Sequence, residues 1–478
     1  MLEQAQNILW LLILIGVMIM IHELGHFWAA RFFDVKVETF SLGFGPRLFG
    51  FKRGDTDYRL SLILFGGYVK MAGEQFAEMT APGAGQSPDS PPEPARSNDA
   101  GMIEARRDFA ASLAGADPRN LLNKPRWQRL IISFAGPFMN LVLAVALLTG
   151  LFMVKYEKVA EANMQPVIGH VLEGSPAAKA GIQDGDKIVA LNGHASPTWE
   201  TLIMEEIENR PMSVTVDRNG KRIDTTVVPT MSKSTGMGTA GWDEQGAIEL
   251  ADVSADYPAA KVGLKKGDLI LQVDGAPIHS TARFHEITKN SNGKPVTIEY
   301  QRGTGAQAQT QTVSITPIYS KIEGQSQWRI GVLVETKLDI VSTKLSFPDA
   351  LAESVRQNAK GALFFVDVLK GMVERRMSTK NLSGPIGLSQ IAGQEAREGA
   401  MAYLSLMAMV SLQLAVLNLM PIPILDGATI LMLLIEMVMQ RDLSLNVKEA
   451  MFKVGFVFIM MLVAFVIYND LAKMVPQG

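Results

Sequence analysis

Apolar residues gather in four stretches, and the pattern changes character between them. Residues 8–33 are apolar apart from Arg31 and one cluster, His22-Glu23-Leu24-Gly25-His26, and at 1.5 Å rise per residue the stretch is long enough to cross a bilayer as a helix. Its start carries Glu3 but no Lys or Arg, and no small-x-small pattern follows, so residues 1–33 read as an uncleaved transmembrane helix rather than a signal peptide. Residues 130–154, 401–439 and 454–470 predict three more crossings, the third broken by Pro421 and Pro423. Between the first two the period changes to two: Tyr58, Leu60, Leu62 and Leu64 alternate with Arg59, Ser61 and Ile63 and end at Gly66-Gly67. That pattern predicts a strand hairpinned onto part of Val35–Phe51, so residues 34–76 form a membrane-associated β-hairpin region. Residues 77–129 include Ser87-Pro88-Asp89-Ser90-Pro91-Pro92-Glu93-Pro94, a composition that buries no core and predicts a disordered cytoplasmic linker. Residues 345–400 hold an amphipathic helix and connector, with a helical period at Leu351, Val355, Ala359, Ala362, Val366, Leu369 and Val373. Such a helix suits the membrane surface or a place under neighbouring domains.

A repeat occupies the long stretch between the second and third crossings. Ser175-Pro176-Ala177-Ala178-Lys179-Ala180-Gly181 with Asp184-Gly185-Asp186 recurs 82 residues on as Tyr257-Pro258-Ala259-Ala260-Lys261-Val262-Gly263 with Lys266-Gly267-Asp268, and Asn192-Gly193 lands on Asp274-Gly275. The unit resembles tandem PDZ domains of the bacterial type, at residues 160–232 and 233–320, in which a short helix leads through a Gly-Asp turn to a strand and an Asn/Asp-Gly hairpin. PDZ modules take an extended peptide beside an exposed strand, which implies substrate capture or screening. His170, His194, His279 and His285 fall here and read as surface residues.

Composition supports a membrane protein with soluble modules: 478 residues, 47% hydrophobic, 19% charged, mean hydropathy +0.14. A net charge of -3 implies no nucleic-acid partner. The charges also orient the chain. Arg31, Lys36, Arg47, Lys52 and Arg53 follow the first crossing, Lys124, Arg126 and Arg129 precede the second, and Arg441, Lys448 and Lys453 join the third and fourth. Those loops are expected in the cytoplasm. Both termini and the repeat region then face the periplasm of a bacterial inner membrane.

Two imidazoles at i and i+4 share one helix face at the spacing that binds a single zinc ion, and the intervening Glu23 can act as general base. Three ionisable groups in a membrane helix are expensive, which favours a functional role. A third protein ligand is needed, and with no cysteine and four of six histidines in the repeats it should be a carboxylate. Asp426, in Asn418-Leu419-Met420-Pro421-Ile422-Pro423-Ile424-Leu425-Asp426-Gly427, matches the depth of His22 best; Glu38 and Glu436 are the alternatives. The free edge of the Tyr58–Phe65 strand, at Ser61, Leu62 and Ile63 with Gly66 and Gly67, suits clamping of an unwound substrate by strand addition.

These motifs, with Gly66-Gly67-Tyr68-Val69-Lys70-Met71, Gly136-Pro137-Phe138-Met139-Asn140 and Asn381-Leu382-Ser383-Gly384-Pro385-Ile386-Gly387, resemble the site-2 protease family of intramembrane zinc metalloproteases, in particular its RseP-like branch with two PDZ domains. The resemblance covers nearly the whole chain. It implies one Zn2+ per chain on His22, His26 and Asp426, Glu23 as catalytic base, and Asn418 on the substrate backbone. It implies regulated intramembrane proteolysis of single-pass membrane proteins, anti-sigma factors or remnant signal peptides, after an upstream site-1 protease has trimmed them. Two departures stand out: Ala428-Thr429 replace the family's usual Gly-His, and residues 77–100 form a longer linker. Two rival classes are a non-catalytic PDZ scaffold or chaperone, which would bind no zinc, and a zinc hydrolase of small molecules, which would have no use for the PDZ pair.

Overall fold

The computed structural model describes residues 2–73, 117–159, 165–232, 236–303, 305, 308–322, 325–337, 339–379 and 384–474. The chain runs α1 (Leu2–Phe32), β1 (Val37–Arg53), β2 (Thr56–Met71) and α2 (Arg126–Val154). Two modules follow: β3 (Ile168–Val171), α3 (Pro176–Lys179), β4 (Lys187–Leu191), α4 (Trp199–Ile207), β5 (Met212–Arg218), β6 (Lys221–Val227) and β7 (Trp242–Glu244), then β8 (Ala247–Val253), α5 (Pro258–Lys261), β9 (Leu269–Val273), α6 (Thr281–Asn290), β10 (Val296–Arg302), β11 (Gln309–Ile315) and β12 (Val332–Lys337). The last helices are α7 (Phe347–Val373), α8 (Pro385–Glu398), α9 (Ala400–Leu419), α10 (Asp426–Met439) and α11 (Leu445–Met474). The described residues within 1–154, 344–365 and 383–470 make one compact unit, and those within 155–343, 366–382 and 471–478 another.

Among the described residues of the first unit, four helices are long and apolar enough to cross a membrane: Glu3–Phe32, Arg126–Val154, Ala400–Leu419 and Val447–Leu471. The protein is a membrane protein. The third stretch is two helices, α9 and α10, with residues 420–425 non-helical where Pro421 and Pro423 cannot continue the backbone ladder. The fourth extends well beyond residues 454–470. α1 and α2 meet at glycine: a Cβ on Gly25 would fall 2.3 Å from the Ala135 carbonyl oxygen, the close backbone approach that small residues permit between membrane helices. Ser411 Oγ donates to the Asn140 carbonyl (2.8 Å), fastening α9 to α2.

β1 and β2 are long and fold on themselves. Residues 37–42 of β1 pair with both 67–71 and 57–60, and residues 47–53 pair with 56–61 (Phe40 opposite Val69 and Tyr58, Phe51 opposite Tyr58). The spatial order is therefore 47–53, 56–61, 37–42, 67–71, four strand segments from two chain runs. This corrects the sequence expectation. The 57–60 segment lies inside the sheet with neighbours on both sides, and the outer segments are 47–53 and 67–71. The expected linker is also too long: residues 74–116 of it lie outside the described residues, but residues 121–123 form a helical turn, with the Leu121 amide on the Ala72 carbonyl and the Lys36 amide on the Arg119 carbonyl (both 2.9 Å).

In the second unit each module opens with a strand, the Pro-Ala-Ala helix and a strand that turns through Asn192-Gly193 or Asp274-Gly275. All four turn residues have positive φ (49°, 81°, 51° and 76°), the requirement of a tight two-residue hairpin. Each has its own apolar core, around Ile188, Leu202 and Val214 in the first and Ile248, Phe284 and Ile298 in the second. The closing strands lie beyond the expected bounds at 232 and 320: β7 pairs with β3, and β12 pairs with β8. Periodicity had no purchase on these short pieces. His170 is not a surface residue as expected; it is buried with Nδ1 3.0 Å from Asp184 and Nε2 3.1 Å from Glu286. His194, His279 and His285 are exposed. Residues 345–400 resolve into two helices, α7 and α8; the Asn381–Ser383 part of the intervening motif lies outside the described residues.

Candidate metal centre

α1 carries His22 and His26 on one face, and the break after α9 swings Asp426 toward them as the first residue of α10. The structure brings the three together. His22 Nε2 lies 3.2 Å from His26 Nε2, Asp426 Oδ2 lies 3.1 Å from His22 Nε2, and Asp426 Oδ1 lies 3.5 Å from His26 Nε2. A tetrahedral zinc site with ligand distances of about 2.0–2.1 Å has edges of about 3.3 Å, so this triangle has the size of three ligand positions around one ion. Nitrogen and oxygen donors with no cysteine are a zinc-compatible set. The alternatives do not join it: Glu38 lies 3.8 Å from Lys70, and Glu436, though it lines the same cavity, pairs with Lys448 (2.7 Å) and the Leu443 amide (3.0 Å).

Orientation comes from α2. His26 Nδ1–H donates to the Ile132 carbonyl (2.8 Å), which leaves its Nε2 lone pair toward Asp426. His22 Nδ1 lies 3.2 Å from the Asn140 amide. Asn140 is fully buried and its Oδ1 has no hydrogen-bond partner when Nδ2 faces the ring. Exchanging the two ends of that amide lets Oδ1 accept from His22 Nδ1–H, satisfies the oxygen, and frees Nε2. Gly136 makes room: a Cβ there would fall 2.3 Å from His26 Nε2 and 2.8 Å from His22 Nε2. Pro137, the next residue, has no amide to give the Ser133 carbonyl.

The break that delivers Asp426 is strained. Ile424 has φ 83°, a conformation that a β-branched residue adopts only under constraint from its surroundings. A Cβ on Gly427 would fall 2.1 Å from the Met420 carbonyl oxygen, so α10 starts hard against the break. Ala428, at the unusual position, is buried, and Thr429 faces the cavity.

The cavity is about 830 Å³ and is lined by all three triangle residues, Glu23, Asn418 and the Gly67–Val69 segment. The Val69 backbone amide donates to the Glu23 carboxylate, and a Cβ on Gly67 would lie 3.2 Å from Glu23 Cγ. Of the expected clamp residues, Gly67 alone lines this cavity. Ser61 is buried inside the sheet with its Oγ 3.0 Å from Ser41 Oγ. Leu62 and Ile63 are exposed away from it, and Gly66, at φ 144°, lies under the Phe44 ring. Gly136 and Asn140 stand in the sequence only as part of the Gly136–Asn140 motif, with nothing local that marks their role here. Their contact with residues more than a hundred positions away has no signal in a single chain.

A sequence profile of peptidase family M50 matches residues 10–462. A Salmonella typhi protein named regulator of sigma E protease is 30% identical over 91% of this chain and 92% of its own length. The Escherichia coli K12 regulator of sigma-E protease RseP is 29% identical over 89% of this chain and 90% of that protein. A Neisseria meningitidis relative provisionally named a zinc metalloprotease is 30% identical over 86% of both chains. Among solved structures, the PDZ domain of an SdrC-like protein from Listeria monocytogenes is 28% identical over 19% of this chain and 87% of that domain, with a TM-score of 0.16.

Proposed function

Because this chain belongs to peptidase family M50 and is a metalloendopeptidase, we propose that it cuts transmembrane segments of single-pass proteins, with one zinc ion on His22, His26 and Asp426. The observation that carries the reading is the His22–His26–Asp426 triangle with Glu23 beside it, set among membrane-length helices. Zinc bound there supplies Lewis acidity that makes water nucleophilic near neutral pH. Glu23 takes the proton of the attacking water and passes it to the departing amine nitrogen. Ile132 and Asn140 hold the two imidazoles in the tautomers the reaction requires.

A transmembrane helix hides its carbonyls in its own ladder and must be unwound before attack. The segment suited to hold it is the outer strand at Gly67–Val69, two strands across the sheet from where the alternation pattern pointed, because that strand borders Glu23. Asn418 lines the same cavity and offers an amide. The exposed apolar side chains of Leu48, Phe49, Phe51, Leu62 and Ile63 on the rest of the sheet suit immersion in lipid. The repeated modules act as tandem PDZ domains in the periplasm, with both termini on that side of a bacterial inner membrane. They screen substrates that an upstream site-1 protease has trimmed, of the anti-sigma-factor or remnant-signal-peptide type.

Two measurements test this. Purified protein should carry one zinc per chain and cleave a single-pass substrate, and Glu23→Gln should keep the zinc and lose the cleavage; a zinc-free wild type would return the scaffold reading. A reporter after Gly115 should behave as cytoplasmic and one near Gly220 as periplasmic; the reverse pattern would overturn the orientation.

A further inference from the structure

The two modules repeat one plan, but a carboxylate fills a position in the first that is open in the second. The turns that enter the closing strands correspond atom for atom. In the first module the Ala177 and Leu172 amides donate to the carbonyls of Ala240 and Gly241 (both 2.9 Å); in the second the Ala259 and Ser254 amides donate to those of Ile330 and Gly331 (3.0 and 2.9 Å). Gly241 and Gly331 both have positive φ (75° and 82°). Opposite each turn, one face of a helix presents residues at i, i+4 and i+7: Trp199, Ile203 and Glu206 on α4, and Thr281, His285 and Thr288 on α6.

Glu206 reaches into its turn. The Ala240 amide donates to Oε1 (2.5 Å) and Trp242 Nε1–H to Oε2 (3.0 Å), with the Thr239 hydroxyl and Gly241 amide also directed at the carboxylate. Burial pushes the Glu206 carboxyl above the ordinary range, and these donors oppose that rise. Thr288 does the reverse, for its hydroxyl donates back to the Phe284 carbonyl (2.9 Å) and leaves its turn alone. There a cavity of about 700 Å³ remains, bordered by His285, Thr288, Lys289, Arg329 and Gly331.

We propose that Glu206 is a built-in ligand of the first module: its carboxylate occupies the amide turn that would receive the terminal carboxylate of a captured peptide, so this module is closed to chain ends. The proposal rests on the strand-capture reading of the modules given above. A side chain tethered to the same module meets those donors at an effective concentration that a free peptide does not reach. The tandem pair is then unequal, with one module shut by its own residue.

The test uses the full chain in detergent. A photoreactive amino acid replaces Ile203 or His285, equivalent positions one turn before Glu206 and Thr288, and the probe is a synthetic peptide ending in an apolar residue, with a free or an amidated terminus. The free peptide should label position 285 but not 203 in the otherwise unchanged protein. Glu206→Thr, which copies the second module, should raise labelling at 203 by about ten-fold, the worth of one hydrogen bond to a charged group, and amidation should abolish the gain. Glu206→Gln, which keeps the shape, should give a smaller gain, and Thr288→Glu should suppress labelling at 285. Equal labelling at 203 with and without Glu206 overturns the proposal. So does no gain at 203 in either Glu206 variant while 285 still labels, since that labelling shows the unit is folded. Absence of labelling at both positions in every variant overturns the capture reading itself, and the proposal with it.

Discussion

Asp426 in the membrane unit is a half-buried carboxylate, and Asp186 and Asp268 in the repeated modules are buried ones, yet their surroundings differ in one decisive way. Asp186 accepts from Arg218 Nε and Nη2 (both 2.7 Å) and from the Gln183 amide (2.9 Å); Asp268 repeats this with Arg302 (2.7 and 2.6 Å) and the Lys265 amide (2.8 Å). Each is about 1% exposed and fully matched by a guanidinium fork. Asp426 faces two imidazoles instead, and no arginine or lysine pairs with it among the described residues. A buried carboxylate that already has its cation is a structural clamp. One aimed with two nitrogen lone pairs at a common point calls for a cation from outside.

The largest effects should come from the chemistry that this difference isolates. Glu23→Gln keeps volume and hydrogen bonding but cannot take a proton, so cleavage should fall by about 10²- to 10⁴-fold while zinc content stays at the wild-type level. Asp426→Ala should lose zinc and cleavage together, and chelation of the wild type should reproduce it. Full zinc occupancy with normal cleavage in the Asp426 variant would erase the contrast, because Asp426 would then be one more structural carboxylate.

How much of this was readable in the chain depended on the range of each interaction. His22, Glu23 and His26 lie within one helical turn, so spacing alone placed them together. Asp426 was reachable by elimination because cysteine is absent and four histidines fall in the repeats. The clamps were half visible: Gly185-Asp186 and Gly267-Asp268 stand out in the repeat, but Arg218 and Arg302 lie more than thirty residues on, and nothing local marks them. The strand edge was misplaced for a related reason. Alternation reports which way side chains point and says nothing about how many neighbours a strand has, and β1 and β2 each bend back to pair twice. The His170 contacts, with one partner in each module, were equally out of reach.

The clamps can be broken independently of the metal centre. Arg218→Ala leaves Asp186 buried with a single amide, and stranding one member of such a pair destabilises by about 3–5 kcal/mol. The urea concentration at which the first module becomes protease-sensitive should fall clearly, whereas the paired change of Asp186→Leu with Arg218→Met should lose less than either single substitution. Zinc content should not move in any of them. A loss of zinc in Arg218→Ala would mean that the two kinds of carboxylate are coupled rather than separate.

The smallest effect sharpens the comparison most, because it concerns a neutral residue. If His22 binds zinc through Nε2, its Nδ1 must carry the proton, and Asn140 Oδ1 is the acceptor placed to hold it there. Asn140→Ala removes the acceptor without touching a ligand, so zinc affinity should weaken by about 10- to 100-fold, read by competition with a chelator. Asn140→Asp restores an acceptor at the same place and should recover affinity, whereas Asn140→Leu fills the space and should not. That ordering separates positioning from packing: a residue that merely filled volume between α1 and α2 would be rescued by leucine and harmed by aspartate, whose charge in this buried site is tolerated only where a protonated imidazole nitrogen and a metal lie behind it.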